Sequence, residues 1–434
     1  MQIRKSPQIR FALLLAAWLP LTVIEAQIPE PVLPAGVGVN IHFVTGHERD
    51  LDLIAQAGFK FVRMDFGWEA IEKTRGQYDW SGYDQLTANL QKRGLRALYI
   101  LDYSHRLYED LVEAKNPING RVEKNTASPR KPESVAAFAR WAAAAAVHFK
   151  DRGVLWEIWN EPNISFWRPK PNVEDYITLA LATCRAVRAA EPRATIIAPA
   201  ISGFDPAFME KFLASGVLEF LDGVSVHPYR RSAPETAAPD YARLREQIDR
   251  HAPAAKRGTL PILSGEWGYS TDGKDVSPDT QAAYIARQQL FNLLTGVPLS
   301  IWYDWKNDGP DPAEREHNFG TVTLDLQPKP AYVAVQTLTR ELAGFRIAKR
   351  HPTGSDRDFV LALTNRTGQT KLAVWTLTNA HPVTLTLSRK AASPIRLVRG
   401  NGQSSEITPS RGQLVIELTD TPQYLTLGRA ALRD

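Results

Sequence analysis

Cysteine is almost absent: Cys184 stands alone in 434 residues, so no disulfide can form within the chain. A chain of this length without cross-links must be held by a large core. CxxC, HExxH and EF-hand spacings are also missing, so neither a catalytic metal nor a cofactor is implied. The formal net charge of +5 is spread along the chain with no basic block. No zinc-finger or helix-turn-helix spacing occurs either, which argues against a nucleic-acid partner. There is no solenoid repeat and no low-complexity tract. An apolar run long enough to span a bilayer is lacking too: FALLLAAWLPLTVI offers about fourteen residues where roughly twenty are needed.

What that run does suit is export. Arg4, Lys5 and Arg10 precede it, Glu25 ends it, and Ile24 and Ala26 fit the −3 and −1 positions of a cleavage site. Residues 1–26 are therefore expected to be a signal peptide, with an uncleaved N-terminal membrane tether as the alternative. The expected location is periplasmic or extracellular. Cys184, inside the helical pattern EDYITLALATCRAVRAAE, reads as a buried structural thiol rather than a nucleophile.

Between Gly36 and about Leu342, short apolar runs alternate with amphipathic helical patterns, the mark of parallel βα units. Eight candidate strands appear: VGVNIHF, FKFVRMDF, LRALYIL, GVLWEIWNE, ATIIAPA, LDGVSVHPY, LPILSGEW and LSIWYDW. Gly58, Gly94, Gly153, Gly216 and Gly296 fall where helix C-caps belong. Eight such units predict an α/β fold, a (β/α)8 TIM barrel over residues 27–343. A doubly wound sheet fits less well, because no Gly-rich phosphate fingerprint follows the first strand. The connection after the third strand, residues 103–133, is unusually long and belongs at the C-terminal face. From residue 344 to 434 the runs shorten and alternate, predicting a small C-terminal antiparallel β-sandwich. Its one tryptophan, Trp375, does not make an obvious sugar platform, so a structural appendage is expected.

Two glutamates carry the chemistry. WEIWNEPN puts Asn160 and Glu161 at the end of the fourth strand, and ILSGEWG puts Glu266 at the end of the seventh. On a closed barrel these strands face each other across the mouth. A lone glutamate at a strand end often makes a salt bridge or caps the next helix. A facing pair instead suits glycosidic bond cleavage, where one carboxyl protonates the leaving oxygen and the other attacks or activates water. Carboxyls about 5–5.5 Å apart imply retention, and about 6.5–9.5 Å inversion. Six tryptophans lie near the predicted face. Of these Trp167, Trp302 and Trp305 are the expected sugar platforms, while about half of the six should be core.

The Asn-Glu-Pro end of strand four with a second Glu ending strand seven resembles clan A of the retaining glycoside hydrolases. VRMDFGWEAIE, WEIWNEPNISFWRPK and SVHPY are most similar to family 39, and within it to the endoglycosidases of biofilm exopolysaccharides. The likeness runs from about residue 36 to the end. It implies Glu161 as acid/base, Glu266 as nucleophile and Asn160 on the substrate 2-hydroxyl. It also implies Arg63 beside Glu266, with Asp65 or Asp102 as its alternative partners. His227 and Tyr229 match the clan's His-x-Tyr pair, the phenol reaching towards the nucleophile. His42 and His105, ending strands one and three, are further candidates for substrate contact. The function expected is an exported, monomeric, endo-acting hydrolase of a bacterial polysaccharide. An exo-acting β-glycosidase such as a β-xylosidase is the nearest alternative, and a non-catalytic polysaccharide-binding subunit the other.

Overall fold

The computed structural model describes residues 27–116, 119–388 and 394–433. The expected export segment, residues 1–26, lies outside them. No described helix is long and apolar enough to cross a membrane.

Eight parallel strands close into a barrel: β1 (Val37–Asn40), β2 (Phe61–Gly67), β3 (Arg96–Asp102), β4 (Leu155–Ile158), β5 (Thr195–Ser202), β6 (Gly223–His227), β7 (Ile262–Trp267) and β8 (Ser300–Trp302). β8 pairs with β1 and closes the ring. All eight apolar runs seen in the sequence become barrel strands. The five proposed cap glycines all adopt positive φ, from 67° to 85°, a conformation that costs a residue with Cβ.

Inside the barrel the side chains stack in layers. Phe61, Leu98, Leu155, Ile197, Leu263, Leu299 and Ile301 form an apolar plug at the N-terminal end. Above it, towards the C-terminal mouth, the inward positions turn polar: Asn40, Arg63, Glu157 and Ser225, all at most 5% exposed. Gly265 makes room for this layer, since a Cβ there would meet Ser225 Oγ at 2.4 Å and Glu157 Oε1 at 2.8 Å.

The long connection after β3 is ordered around its own hairpin, Leu111–Lys115 paired with Val122–Thr126. Glu109 anchors its end. One carboxylate oxygen accepts from the backbone N–H groups of Arg130 and Lys131, both at 2.9 Å, at the start of the helix Pro132–His148.

The C-terminal β-sandwich contains β9 (Arg346–Arg350), β10 (Asp358–Thr364), β11 (Thr370–Thr376), β12 (His381–Thr386), β13 (Ile395–Arg399), β14 (Ser404–Ile407), β15 (Gln413–Leu418) and β16 (Gln423–Gly428). One sheet runs β9-β10-β11-β16-β13-β14 and the other is the pair β12-β15. Leucine-rich positions from both sheets, among them Leu372, Leu385, Leu414 and Leu425, pack between them. Six of these strands coincide with the alternating runs FVLALTN, KLAVWTLT, PVTLTLS, PIRLVRG, QLVIELT and QYLTLG of the sequence pattern. β9 and β14 escaped it because RIAKR and SSEI are polar edge strands without apolar alternation. Trp375 is buried against the barrel, stacked on Phe359 at 4.6 Å, with its Nε1–H donated to Glu235 at 2.8 Å. Glu235 in turn is gripped by both arms of Arg287, at 2.8 and 2.7 Å.

Candidate active site

Two irregularities set the mouth. Between β7 and β8 the register slips: Ser264 pairs with Ser300, but Trp267 pairs with Trp302. One extra residue in β7 reverses the alternation, so Glu266 turns inward and Trp267 outward. Across the barrel, β4 runs into a turn where Trp159 and Glu161 both take positive φ, 69° and 48°. Such strain in a residue with Cβ persists only where surroundings impose it. Here the Glu161 N–H is tied to Ala200 O at 2.9 Å, at a second register slip between β5 and β6.

Glu161, His227 and Glu266 converge, each offering an atom within 4.8 Å of the others. Arg63 lies beneath them, 1% exposed, and organises the floor. Its five N–H donors meet five acceptors. Nε donates to Glu157 at 2.7 Å. Nη1 donates to Glu266 at 2.5 Å and to Asn40 Oδ1 at 3.2 Å. Nη2 donates to Asn160 Oδ1 at 2.8 Å and to His227 Nε2 at 3.3 Å. Arg63 thus pairs with Glu157 and Glu266 rather than with Asp65 or Asp102.

Those contacts fix the protons around the site. A guanidinium can only donate, so His227 Nε2 must accept and its proton sits on Nδ1, which donates to Glu161 Oε1 at 2.9 Å. Burial lowers the His227 pKa to about 4, keeping the ring neutral. The same logic orients Asn160: its carbonyl faces Arg63, so its NH2 points to the Tyr103 hydroxyl at 3.2 Å and out into the mouth. The Tyr229 hydroxyl donates to Glu266 Oε1 at 2.8 Å, so Glu266 is held at both oxygens. Burial raises the Glu161 pKa to about 7, against the opposing pull of Ser202 and Arg63. One carboxyl is thus poised to carry a proton near neutrality while its neighbour is braced by a cation and a phenol, an arrangement suited to splitting an acetal.

His42 lies at the rim after β1. Burial would lower its pKa, but Asp308 and Asp304 outweigh this and raise it to about 9. Its Nδ1 is 3.0 Å from Asp308, while Nε2 faces the Asn40 amide at 3.1 Å. His42, Asp304 and Asp308 form the second group able to reach a common cation among the described residues. In the Glu161–His227–Glu266 group the Arg63 guanidinium already neutralises Glu266.

Four expectations need correction. Trp302, Trp305 and Trp167 present no ring to a ligand, being 0%, 1% and 2% exposed. On β8 the inward position is Ile301, so Trp302 points into the helix layer beside Tyr269. Trp305 donates its Nε1–H to Asp50 at 2.9 Å, and Trp167 packs on Trp159 and Tyr176. His105 is structural: its Nε2 binds the Glu72 backbone oxygen at 2.6 Å and its Nδ1 accepts from the Leu107 N–H. The half-buried aromatic surface of the mouth comes instead from Tyr103, Phe166, Tyr229 and Tyr303. Glu157 was also missed. Its signal was available, a lone charge inside the otherwise apolar strand GVLWEIW that needs a buried partner.

A model of the cellulase family (glycosyl hydrolase family 5) matches residues 34–308. A β-xylosidase of Geobacillus stearothermophilus is 34% identical over 201 residues, covering 42% of this chain and 40% of that protein. A β-xylosidase of Caldicellulosiruptor saccharolyticus is 25% identical over 240 residues, covering 49% and 48%. The chain thus spans less than half the length of these curated relatives. Among solved structures, a family 39 glycoside hydrolase from the gut symbiont Bacteroides cellulosilyticus WH2 superposes with a TM-score of 0.77 at 26% identity, covering 92% of this chain and 83% of that one. A family 39 β-xylosidase from Caulobacter crescentus shares the fold, with a TM-score of 0.68 at 18% identity over 93% of this chain and 98% of that one.

Proposed function

As the chain belongs to the cellulase family, glycosyl hydrolase family 5, within clan A, we propose that it hydrolyses glycosidic bonds with retention of configuration. The observation that carries this reading is the approach of Glu161 and Glu266 carboxylate oxygens to within 4.8 Å. That spacing favours direct attack over a water-mediated inversion, which needs about 6.5–9.5 Å.

In the first step Glu266 attacks the anomeric carbon while Glu161 gives its proton to the leaving oxygen, so the glycosidic C–O bond breaks as the ester bond forms. In the second, Glu161 takes a proton from water, which attacks the same carbon and releases Glu266. Asn160 offers its free N–H to the sugar 2-hydroxyl. His227 donates to Glu161 in both steps and never carries net charge.

The finer reading is an exported, monomeric, endo-acting hydrolase of a bacterial exopolysaccharide. The N-terminal apolar segment and the resemblance of VRMDFGWEAIE and SVHPY to the exopolysaccharide endoglycosidases support it. The names of the curated relatives favour a second reading, an exo-acting β-xylosidase.

Proton NMR of the products during hydrolysis of aryl β-glycosides and polysaccharides tests the mechanism. The β-anomer should appear first and be absent with Glu266→Ala. Initial release of the α-anomer would overturn retention. A ladder of oligosaccharides supports endo action, whereas release of monosaccharide alone supports the xylosidase reading. If both Glu161→Gln and Glu266→Gln turned over polymer at the wild-type rate, the catalytic assignment would fall.

A further inference from the structure

Beyond Tyr103, the hydrogen-bond partner of Asn160, lies a separate pocket of about 340 Å³ between the ends of β2 and β3 and the hairpin of the long connection. That volume lies at the lower end of small-ligand pockets, roughly 300–1,000 Å³. Its charge is lopsided. Arg106, Lys124 and Arg168 line it, with Glu69 as the one acid, and Glu69 is already paired to Arg106. Neither Arg168 nor Lys124 has an ion-pair partner among the described residues. The acids nearest in register make no ion pair with them: Glu113 lies across the hairpin from Lys124 without pairing to it, and Glu123, bound by Asn116 and Asn119, attracts Arg168 only through space.

Arg168 is built into position. Its backbone N–H is donated to Ser128 Oγ at 2.8 Å, and its carbonyl accepts the Ser128 N–H at 3.0 Å, lacing the loop after β4 to the end of the long connection. Its Nε is buried with no hydrogen-bond partner. An unmet cationic donor of this kind is costly unless an anion completes it.

Tyr103 joins this pocket to the site. Its ring lines the pocket and stacks on Phe166 at 5.8 Å and 13°, while its hydroxyl receives the Asn160 N–H. A sugar chain passing over Glu161 can therefore continue past Tyr103 to Arg168.

We propose that this pocket is a subsite for an anionic sugar residue of the substrate chain, away from the bond that is cleaved. Tyr103 supports the ring face, and Arg168 and Lys124 receive the anionic group. The inference rests on the glycoside hydrolase reading and narrows it to acidic polysaccharides, with a uronate carboxylate as the simplest match to Arg168.

Affinity electrophoresis through gels containing glucuronoxylan, alginate or carrageenan, and carboxyl-reduced glucuronoxylan and alginate, tests it at physiological salt. Arg168→Ala/Lys124→Ala is compared with Arg168→Lys and with a charge-matched surface control, Arg243→Ala/Arg250→Ala. Far-ultraviolet circular dichroism checks the fold of each. At least one acidic polymer should retain the wild type and the control about tenfold more strongly than its reduced form, the size of a charge-assisted hydrogen bond. The double variant should lose that difference, and Arg168→Lys should keep part of it. Selective retention by carrageenan alone assigns a sulfate ester rather than a carboxylate to the same pocket. Equal retention of the double variant and the wild type overturns the subsite, as does retention by no acidic polymer. Hydrolysis of the same polymers separates the two readings. Arg168-dependent retention with no cleavage of any glycoside sinks the hydrolase reading alone, and cleavage without acid preference sinks the subsite alone.

Discussion

Glu161 shows how one side chain's setting governs both rate and stability. A rise in its pKa from 4.5 to about 7 corresponds to about 3 kcal/mol of differential stabilisation of the protonated form. The folded chain holds this proton more tightly than the unfolded chain. Its contribution to stability is therefore present below pH 4.5 and lost as pH rises to about 7. Glu161→Gln, uncharged at every pH, should gain melting temperature over the wild type at pH 8 and show no such gain at pH 4, measured by differential scanning calorimetry. The same titration predicts an alkaline limb in kcat/KM near pH 7, absent in the variant. That variant should also lose about 10²–10⁴-fold in rate on substrates with poor leaving groups, the usual worth of a general acid. Glu161 and Glu266 were legible in the sequence because they stand where barrel strands deliver their ends to one mouth. Asn160, Arg63, His227 and Tyr229 were legible through the family resemblance, Arg63 lying inside β2. The tryptophans were misplaced because composition says nothing of parity: Trp302 is one residue away from the inward position that Ile301 holds. Tyr303, which rings the mouth instead, carries no sequence mark distinguishing it from core.

Individual elements were read more easily than their irregularities. Apolar runs announced all eight barrel strands, but the extra residue in β7 that turns Glu266 inward leaves no trace in hydropathy. The hairpin inside the long connection was equally silent, since LVEAK keeps only Val112 and Ala114 on its covered face and VEKNT has Val122 as its one apolar residue. Gly265 reports on the same element. Gly265→Ala would drive a methyl against Glu157 and Ser225, displacing the carboxylate that holds Arg63. The expected loss is about 1–3 kcal/mol from overpacking, read as a lower midpoint in urea. The Arg63–Glu266 contact would also shift, so kcat should fall more than KM rises. A normal kcat alongside the lost stability would mean the polar layer does not position the nucleophile.

For the whole molecule, the junction of barrel and sandwich is anchored on a buried ion pair of the barrel, to which the sandwich is joined by the Trp375 N–H. Arg287 and Glu235 are each 4% exposed on their side chains, and Trp375 caps the pair from the sandwich. Removing one partner of such a pair costs about 3–5 kcal/mol because the other charge is left buried alone. Glu235→Ala should therefore split a single calorimetric transition into two, as barrel and sandwich come apart. Glu235→Gln, which keeps an acceptor for Trp375, should fall between. The sequence divided the chain near residue 344 but could not foresee this junction, because Glu235 and Trp375 are 140 positions apart. Arg63 has a reach of comparable extent. Its five protons are spoken for by acceptors on or just after β1, β4, β6 and β7. None can trade places with a solvent deuteron until several strands part together. Exchange at this single guanidinium should therefore run at the pace of global unfolding, making Arg63 an internal clock for the integrity of the barrel.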